Sequence, residues 1–441
     1  MKSAFGFSFL LVSAFCTSSP LFAQEVTLNN LDEAISLAYE KNPDYQNFIL
    51  NQEQADLEYK KAKNHRLPTV TGSFSGQRNA DLATTPLPAE IFGGEPGQTI
   101  ETQFGQEYTY NAGVSVSKSL FNLQQMQQAK LAKLNAQMVR VEQEQYEEFL
   151  EQSTSMYYYT ALVAKKAIAV SESDLESAVR ISLLSKDKYE QGLIDLIAHN
   201  NSKISENVVR QNLSSNKRLF QEYLIELKKL LGMGYRTQLL LSEDLTYELP
   251  ELYQEYQLTP DLSIKNADVA INQADMQTKI SRSAALPSLS LNSYYGRQQF
   301  RDDFGLALDS DSWSNYSYLT LNLSIPIFNG FEKRNDIKKN KISQEIAQNE
   351  REDAELTSKL EDQLLIKNYQ SGLVEASLAK DNFQLYEENQ RLTYEKYEEG
   401  LVSLDTYLRV FEDYVKAENT FLNNLSKVYS LYSQIIPRIS L

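Results

Sequence analysis

One cysteine, two histidines, eleven prolines and sixteen glycines in 441 residues leave little material for several kinds of protein. Cys16, His65 and His199 are too few and too far apart for a disulfide framework or a Cys/His metal cluster. No glycine-rich phosphate loop and no nucleophile motif is present, so the chain reads as a non-enzyme with no cofactor and no bound metal. His65 beside Arg66, and His199, read as surface or packing histidines, and Asp302-Asp303 as solvated carboxylates. Beyond the N-terminus no segment has the ~20 consecutive apolar residues of a membrane helix. A membrane crossing, if there is one, must therefore use strands. Cations are the minority charge, 43 Lys and Arg against 59 Asp and Glu, for a net charge of −16. With no basic run, a nucleic-acid partner is excluded, because it would need a cationic footprint.

Residues 1–23 read as a secretory signal. Lys2 gives the positive end, Phe5 to Val12 is mostly apolar, and Leu21-Phe22-Ala23 precedes Gln24, although Leu21 stands where a small residue is usual. Two other readings compete: an N-terminal membrane helix, and lipid attachment at Cys16, where Phe15 replaces the usual small neighbour. Cleavage after Ala23 leaves a mature chain one unit more negative and without cysteine.

Scarce Gly and Pro fall at a few points, and those points recur. Asn42-Pro43 is matched by Thr259-Pro260, 217 residues on, and Leu67-Pro68 by Leu286-Pro287, 219 on. Phe121-Asn122 is matched by Phe328-Asn329, 207 on, and Tyr189-x-x-Gly192-Leu193 by Tyr397-x-x-Gly400-Leu401, 208 on. Four landmarks in one order indicate an internal duplication. The first copy carries 12 extra residues between its second and third landmarks. That interval holds Pro86, Pro88, Gly93, Gly94, Pro96 and Gly97 and reads as a longer loop.

Between landmarks the pattern is helical. Leu123 to Gln191 contains no Gly or Pro, enough for a helix of roughly 100 Å at 1.5 Å per residue. Leu404, Leu408, Phe411, Val415, Leu422, Leu425, Tyr429, Tyr432 and Ile436 follow steps of four and three, with Glu418 in the one polar slot, as in a heptad seam. Helices of this kind also suit a periplasmic structural or adaptor coiled coil. Alternating segments argue otherwise. Tyr108, Tyr110, Ala112, Val114 and Val116 alternate with small polar residues, as do Leu319, Leu321, Leu323, Ile325 and Ile327. A period of two with one apolar face marks sheets. Val114, Val116, Leu321 and Leu323 are expected to face lipid, and Ser115, Ser117, Thr320 and Asn322 a lumen. Aromatics gather near the strand ends (Tyr108, Tyr294, Trp313, Tyr316, Tyr318 and Phe328 among them), as at the lipid–water boundaries of outer-membrane barrels. Two hairpins give four strands, too few to close a barrel. Open edges in lipid would leave backbone groups unpaired at several kcal/mol each, so other subunits must complete it.

In order and duplication these motifs resemble the TolC family of outer-membrane channels. The resemblance rests on Asn42-Pro43, Leu67-Pro68, Ser119-Leu120-Phe121-Asn122, Ala285-Leu286-Pro287-Ser288-Leu289, Ile325-Pro326-Ile327-Phe328-Asn329-Gly330 and the two Tyr-x-x-Gly-Leu tips. It implies a mainly α fold with transmembrane β: a duplicated helix–hairpin–helix repeat forming a trimeric twelve-stranded β-barrel continued by a periplasmic α-helical barrel. The implied plan is a signal at 1–23, a first repeat at 24–231 with strands about 67–78 and 107–121, and an inter-repeat equatorial segment at 232–258. A second repeat follows at 259–436, with strands about 286–297 and 314–328, then a tail at 437–441. It further implies a passive duct in a tripartite efflux or type I export system, working as a homotrimer with a periplasmic adaptor, an inner-membrane transporter and outer-membrane lipid. Gln191, Gly192, Leu193, Glu399, Gly400 and Leu401 would be the tips that meet the adaptor. Tyr189, Asp195, Tyr397 and Asp405 would be candidates for a periplasmic gate. Relatives carry an acidic pair six and nine residues after the second tip glycine, where this chain has Thr406 and Arg409. The alternative for Asp195 and Asp405 is a carboxylate at a helix N-cap or first turn.

Overall fold

The structure is a computed structural model that describes residues 25–246, 249 and 258–439. The expected signal with Cys16, residues 247–248 and 250–257 of the inter-repeat segment and the last two residues of the tail lie outside the described residues. Strand β1 (Glu25–Leu28) leads to α1 (Leu31–Lys41) and α2 (Pro43–Lys63). Next come β2 (Thr69–Arg78), β3 (Thr84–Pro88), β4 (Thr99–Gln103) and β5 (Tyr108–Phe121), then α3 (Leu123–Glu190) and α4 (Leu196–Leu230). The second half runs β6 (Gln238–Leu241), α5 (Leu262–Ser283), β7 (Ser288–Arg301), β8 (Ser314–Ser324), α6 (Glu332–Glu398) and α7 (Leu404–Ile435). The chain divides into two compact units, one of Met1–Pro43, Glu148–Gln257 and Leu365–Leu441, the other of Asp44–Glu147 and Leu258–Leu364.

The second unit holds the main sheet, in order β2-β5-β7-β8, antiparallel throughout. Cross-strand partners share a face. Val116, Ser293 and Leu319 are aligned, as are Lys118, Leu291 and Leu321. On the opposite face Ser117 aligns with Asn292 and Thr320, and Ser115 with Tyr294 and Tyr318. The strand bounds differ from 67–78, 107–121, 286–297 and 314–328 in physically interpretable ways. A 3₁₀ turn at Asn64–Arg66 and then Pro68 delay β2 to Thr69. Strand β7 extends to Arg301 because β5 offers partners as far as Tyr108. Strand β8 stops at Ser324, two residues short of Pro326, which has no N–H for a ladder. The proline- and glycine-rich interval is more than a loop, since β3 and β4 pair within it as an antiparallel ribbon.

The aromatics do not all belong to a girdle on the apolar face. Tyr294 stacks on Tyr318 with centroids 5.7 Å apart and lies 5.8 Å from Tyr316, all three on the Ser/Thr/Asn face. Their position follows from Gly113, which pairs with Gly296 on the same face. A Cβ at Gly113 would come within 2.6 Å of the Tyr294 hydroxyl oxygen and 2.7 Å of the Gly296 Cα. The Tyr294 ring covers the surface that two adjacent glycines leave bare, a device that restores packing where strands lack side chains.

In the other unit β1 pairs in parallel with β6, so the segment expected as a linker contains a strand. Asn42 ends α1 and is buried, donating from Nδ2 to the Leu230 carbonyl at 2.9 Å, one of the acceptors a helix leaves open at its end. Helix α7 buries the expected seam at Leu404, Leu408, Phe411, Val415, Leu422, Leu425 and Tyr429, and a second row at Tyr407, Tyr414, Phe421 and Val428. Four side chains spaced by seven widen the apolar stripe into a bundle face.

Candidate functional site

The two tips are built alike. At the end of α3, Gly192 N–H donates to the Tyr189 carbonyl at 2.9 Å and Leu193 N–H to the Lys188 carbonyl at 2.9 Å. At the end of α6, Gly400 N–H reaches Tyr397 at 3.1 Å and Leu401 N–H reaches Lys396 at 2.8 Å. This is the Schellman closure, which requires a left-handed residue after the helix. Gly192 has φ +74° and Gly400 φ +73°. Nothing lies within 4 Å of where a Cβ would stand on either.

The next helix starts after a short connection. Asp195 is the N-cap of α4, its side chain accepting from Ala198 N–H at 2.8 Å. The same place before α7 is held by Ser403, which accepts from Thr406 N–H at 3.2 Å. Asp195 and Asp405 are thus not equivalent positions. Asp195 caps a helix, whereas Asp405 stands exposed in the first turn of α7, where the helix dipole favours a carboxylate.

Tyr189 is exposed on one edge and stacks on His199, centroids 5.7 Å apart and 8° from parallel. His199 Nδ1 is 3.0 Å from Ser185 Oγ, so this histidine ties α4 back to α3. Tyr397 is buried, stacks on Tyr407 at 5.8 Å and carries the Lys188 ammonium 4.3 Å above its ring. Lys188, which the sequence pattern gave no reason to single out, therefore links the first tip to the second. Burial pushes the Tyr407 phenol up to about 12, and its hydroxyl accepts from Gln390 Nε2 at 3.1 Å. Around these anchored aromatics, Leu193 at 67 %, Ile197 at 69 % and Leu401 at 69 % exposure form an apolar surface at the turns.

A third cluster lies deeper in the helical unit, at the polar slot of the α7 seam. Glu418 and Asp174 are both buried and hydrogen-bonded to each other, and Tyr414 donates to Asp174 Oδ1 at 3.2 Å. Burial, then the neighbouring Asp174 charge, pushes the Glu418 carboxyl up to about 9. Burial also raises Asp174. These directions favour a protonated Glu418 that donates a hydrogen bond to the Asp174 carboxylate and keeps its proton. Glu418 was visible in the sequence as the one acidic residue in an apolar seam, but Asp174 had no comparable signal.

Among the described residues no group of three or more His, Cys, Asp and Glu could hold a metal, and no helix is long and apolar enough to cross a membrane.

Long paired helices, a four-stranded antiparallel sheet and duplicated helix–turn tips define the fold of outer-membrane efflux channels. The Campylobacter jejuni CmeC outer membrane channel matches 92 % of this chain and 84 % of its own at 18 % identity, TM-score 0.76. A membrane protein from Pseudomonas aeruginosa matches 93 % of each chain at 16 % identity, TM-score 0.76. The outer membrane protein VceC of Vibrio cholerae matches 92 % and 95 % at 15 % identity, TM-score 0.73. A search among curated proteins returned no match. The family model described as outer membrane efflux protein matches residues 34–233 and 255–432, both copies of the repeat. The chain belongs to the outer membrane efflux protein family. It is a transport protein of the outer membrane, with its helical part in the periplasm.

Proposed function

We propose that three copies of this chain close one twelve-stranded barrel and form the outer-membrane duct of a tripartite efflux or type I export assembly. A periplasmic adaptor would dock at the tips, and an inner-membrane transporter would supply the cargo, small molecules or proteins. The observation that carries the reading is the open sheet. β2 pairs only with β5 and β8 only with β7, so among the described residues each leaves one edge unpaired, and a membrane-spanning sheet must satisfy every backbone group. Twelve strands lie within the range of outer-membrane barrels, whereas four do not. At the tips, Gln191, Gly192, Leu193, Glu399, Gly400 and Leu401 present exposed leucines beside glycines that leave room for a second backbone, which suits an adaptor hairpin. We assign Tyr189, Asp195, Tyr397 and Asp405 to a periplasmic constriction near these turns, with Tyr397 as an internal anchor and the two aspartates facing water.

The test uses the absence of cysteine after residue 16. Thr71→Cys in β2 and Thr320→Cys in β8, placed in one chain and treated in membranes with thiol cross-linkers of graded length, should give a ladder ending at three copies. A ladder ending at two, or an uncross-linked monomer at every length, would overturn the trimeric duct.

A further inference from the structure

The cations of this acidic chain are unevenly placed around the main sheet. The pairings Thr69 with Ser117, Ser119 with Ser290 and Ser288 with Ser324 bring the start of β2, the end of β5, the start of β7 and the end of β8 to one end. All four strand–helix junctions of the sheet-bearing unit therefore lie together. The first junction, residues 59–72, carries Lys60, Lys61, Lys63 and Arg66 and no carboxylate. The second, 115–133, carries Lys118, Lys130 and Lys133, and the third, 276–292, Lys279 and Arg282, again with no carboxylate. The fourth, 325–341, carries five cations against Glu332 and Asp336. At the other end of the sheet the signs reverse. The connection 79–107 holds Asp81, Glu90, Glu95, Glu101 and Glu107, and 302–313 holds Asp302, Asp303, Asp309 and Asp311, with no Lys or Arg in either.

The fourth junction also has a built cavity, of about 400 Å³. One wall is apolar, with Pro326, Ile327, Phe328 and Phe331, and the other is cationic, with Lys333, Arg334, Lys338 and Lys341. Ile327 is 94 % exposed, and Phe328 and Phe331 meet edge to face with centroids 5.4 Å apart. Phe331 has φ +67°, a region that bulky residues rarely occupy and that is strained for them. The fold thus sustains strain at an exposed apolar ring. Lys333 is partly committed, donating to the Ala284 carbonyl at 2.5 Å. Among the described residues no carboxylate lies within 4 Å of Arg334, Lys338 or Lys341, although Lys61 and Lys279 are engaged by Glu58 and Asp275.

We propose that this cavity is a binding site for an anionic phospholipid of the periplasmic leaflet. The phosphate would sit among Arg334, Lys338 and Lys341, and the acyl chains would run along Ile327, Phe328 and Phe331. The periplasmic placement of the helices puts this end of the sheet at that leaflet, and the inference does not depend on how many copies close the barrel or on any adaptor. A lipid fits better than a free phosphate because the cationic wall is joined to an apolar shelf contiguous with the strand end. It fits better than an acidic protein because the shelf adjoins the membrane-spanning sheet. Juxtamembrane cations are attracted to anionic leaflets by about 1 kcal/mol each, roughly a fivefold change in binding per charge.

The test uses the full protein in detergent, with lipid retention read by native mass spectrometry and stability by thermal melting. Phosphatidylglycerol or cardiolipin should be retained over phosphatidylcholine and should raise the melting temperature, whereas inorganic phosphate at the same concentration should do neither. Lys338→Gln should lower retention of the anionic lipid about fivefold, and Arg334→Gln with Lys338→Gln and Lys341→Gln should abolish the preference. Lys339→Gln, on the same helix but outside the cavity, should change nothing. Equal retention of phosphatidylcholine, an unchanged preference in Lys338→Gln, or the same stabilisation by inorganic phosphate would each overturn the proposal. The single substitution and the wild-type measurement decide the matter even if the triple variant does not fold.

Discussion

A carboxylic acid buried in a helix seam makes the fold respond to pH. The Glu418 carboxyl titrates near 9 in the fold and near the ordinary glutamate value when unfolded, so the unfolded chain gives up its proton first as pH rises. The contribution of this pair is fully present below about 4.5 and declines up to about 9, with Glu387 and Asp174 both opposing ionisation. Glu418→Gln keeps a hydrogen-bond donor toward Asp174 without needing a proton. Its melting temperature should therefore fall less than that of wild type between pH 5.5 and 8.5, and a parallel fall in the two proteins would remove Glu418 as the cause. At the tips, Asp195→Asn retains an oxygen that can cap α4, so it should test charge with little change in fold. If Asp195 and Asp405 line a three-fold constriction, single-channel recordings of the two Asn variants should show weaker cation preference. Unchanged conductance and selectivity in both would take them out of the gate.

Elements were legible to different degrees. Period two in Tyr108–Val116 and Leu319–Ser324 marks strands whatever their surroundings, although the alternation runs on to Ile327 past the end of β8, and the 4-3 steps of α7 mark a helix. The second buried row at Tyr407, Tyr414, Phe421 and Val428 was missed because a seam read alone does not say how many neighbours a helix has. The β3–β4 ribbon was missed because proline and glycine signal turns more strongly than they deny short strands. The tyrosines of the polar face were misread because Gly113 and Gly296, distant in sequence, meet only through β5–β7 pairing. At the candidate site, the sequence leaves Asp195 and Asp405 open between gate residues and carboxylates of a helix cap or first turn; the structure has Asp195 as a cap, with Ser403 its counterpart, and Asp405 in a first turn. The register supports an expectation for the sheet: Val114→Lys near the bilayer midplane should cost about 2–4 kcal/mol and Ser115→Lys little. Equal losses in folding titrations from lipid would show that the two faces are not differently solvated. Among the turns, Gly400→Trp finds open space at its Cβ but must hold φ +73°, a local cost of about 1–3 kcal/mol. A variant that still assembles should show impaired efflux, and full efflux from assembled protein would separate the tip from adaptor docking.

For the whole molecule, the order of landmarks carried more information than any motif. A family match that covers both repeats agrees with a duplication read from four short pairs of residues. What a single chain's sequence did not show was the polarity of charge along the sheet, because it depends on which chain ends the register gathers together. The unpaired edges of β2 and β8 have a consequence for genetics. In a ring closed by three copies, one defective edge spoils the assembly, so harm spreads from a mutant copy to its healthy companions. Alternate N–H groups of β8 point away from β7, so of Thr320→Pro and Leu321→Pro one should remove an outward donor. Co-expressed with wild type in equal amounts and mixed at random, that variant should leave only about one assembly in eight wholly wild type. Efflux in such cells should fall far below half and recover as wild-type dosage rises, so that the mutation behaves as dominant. Retention of half the activity would mean that each chain transports alone.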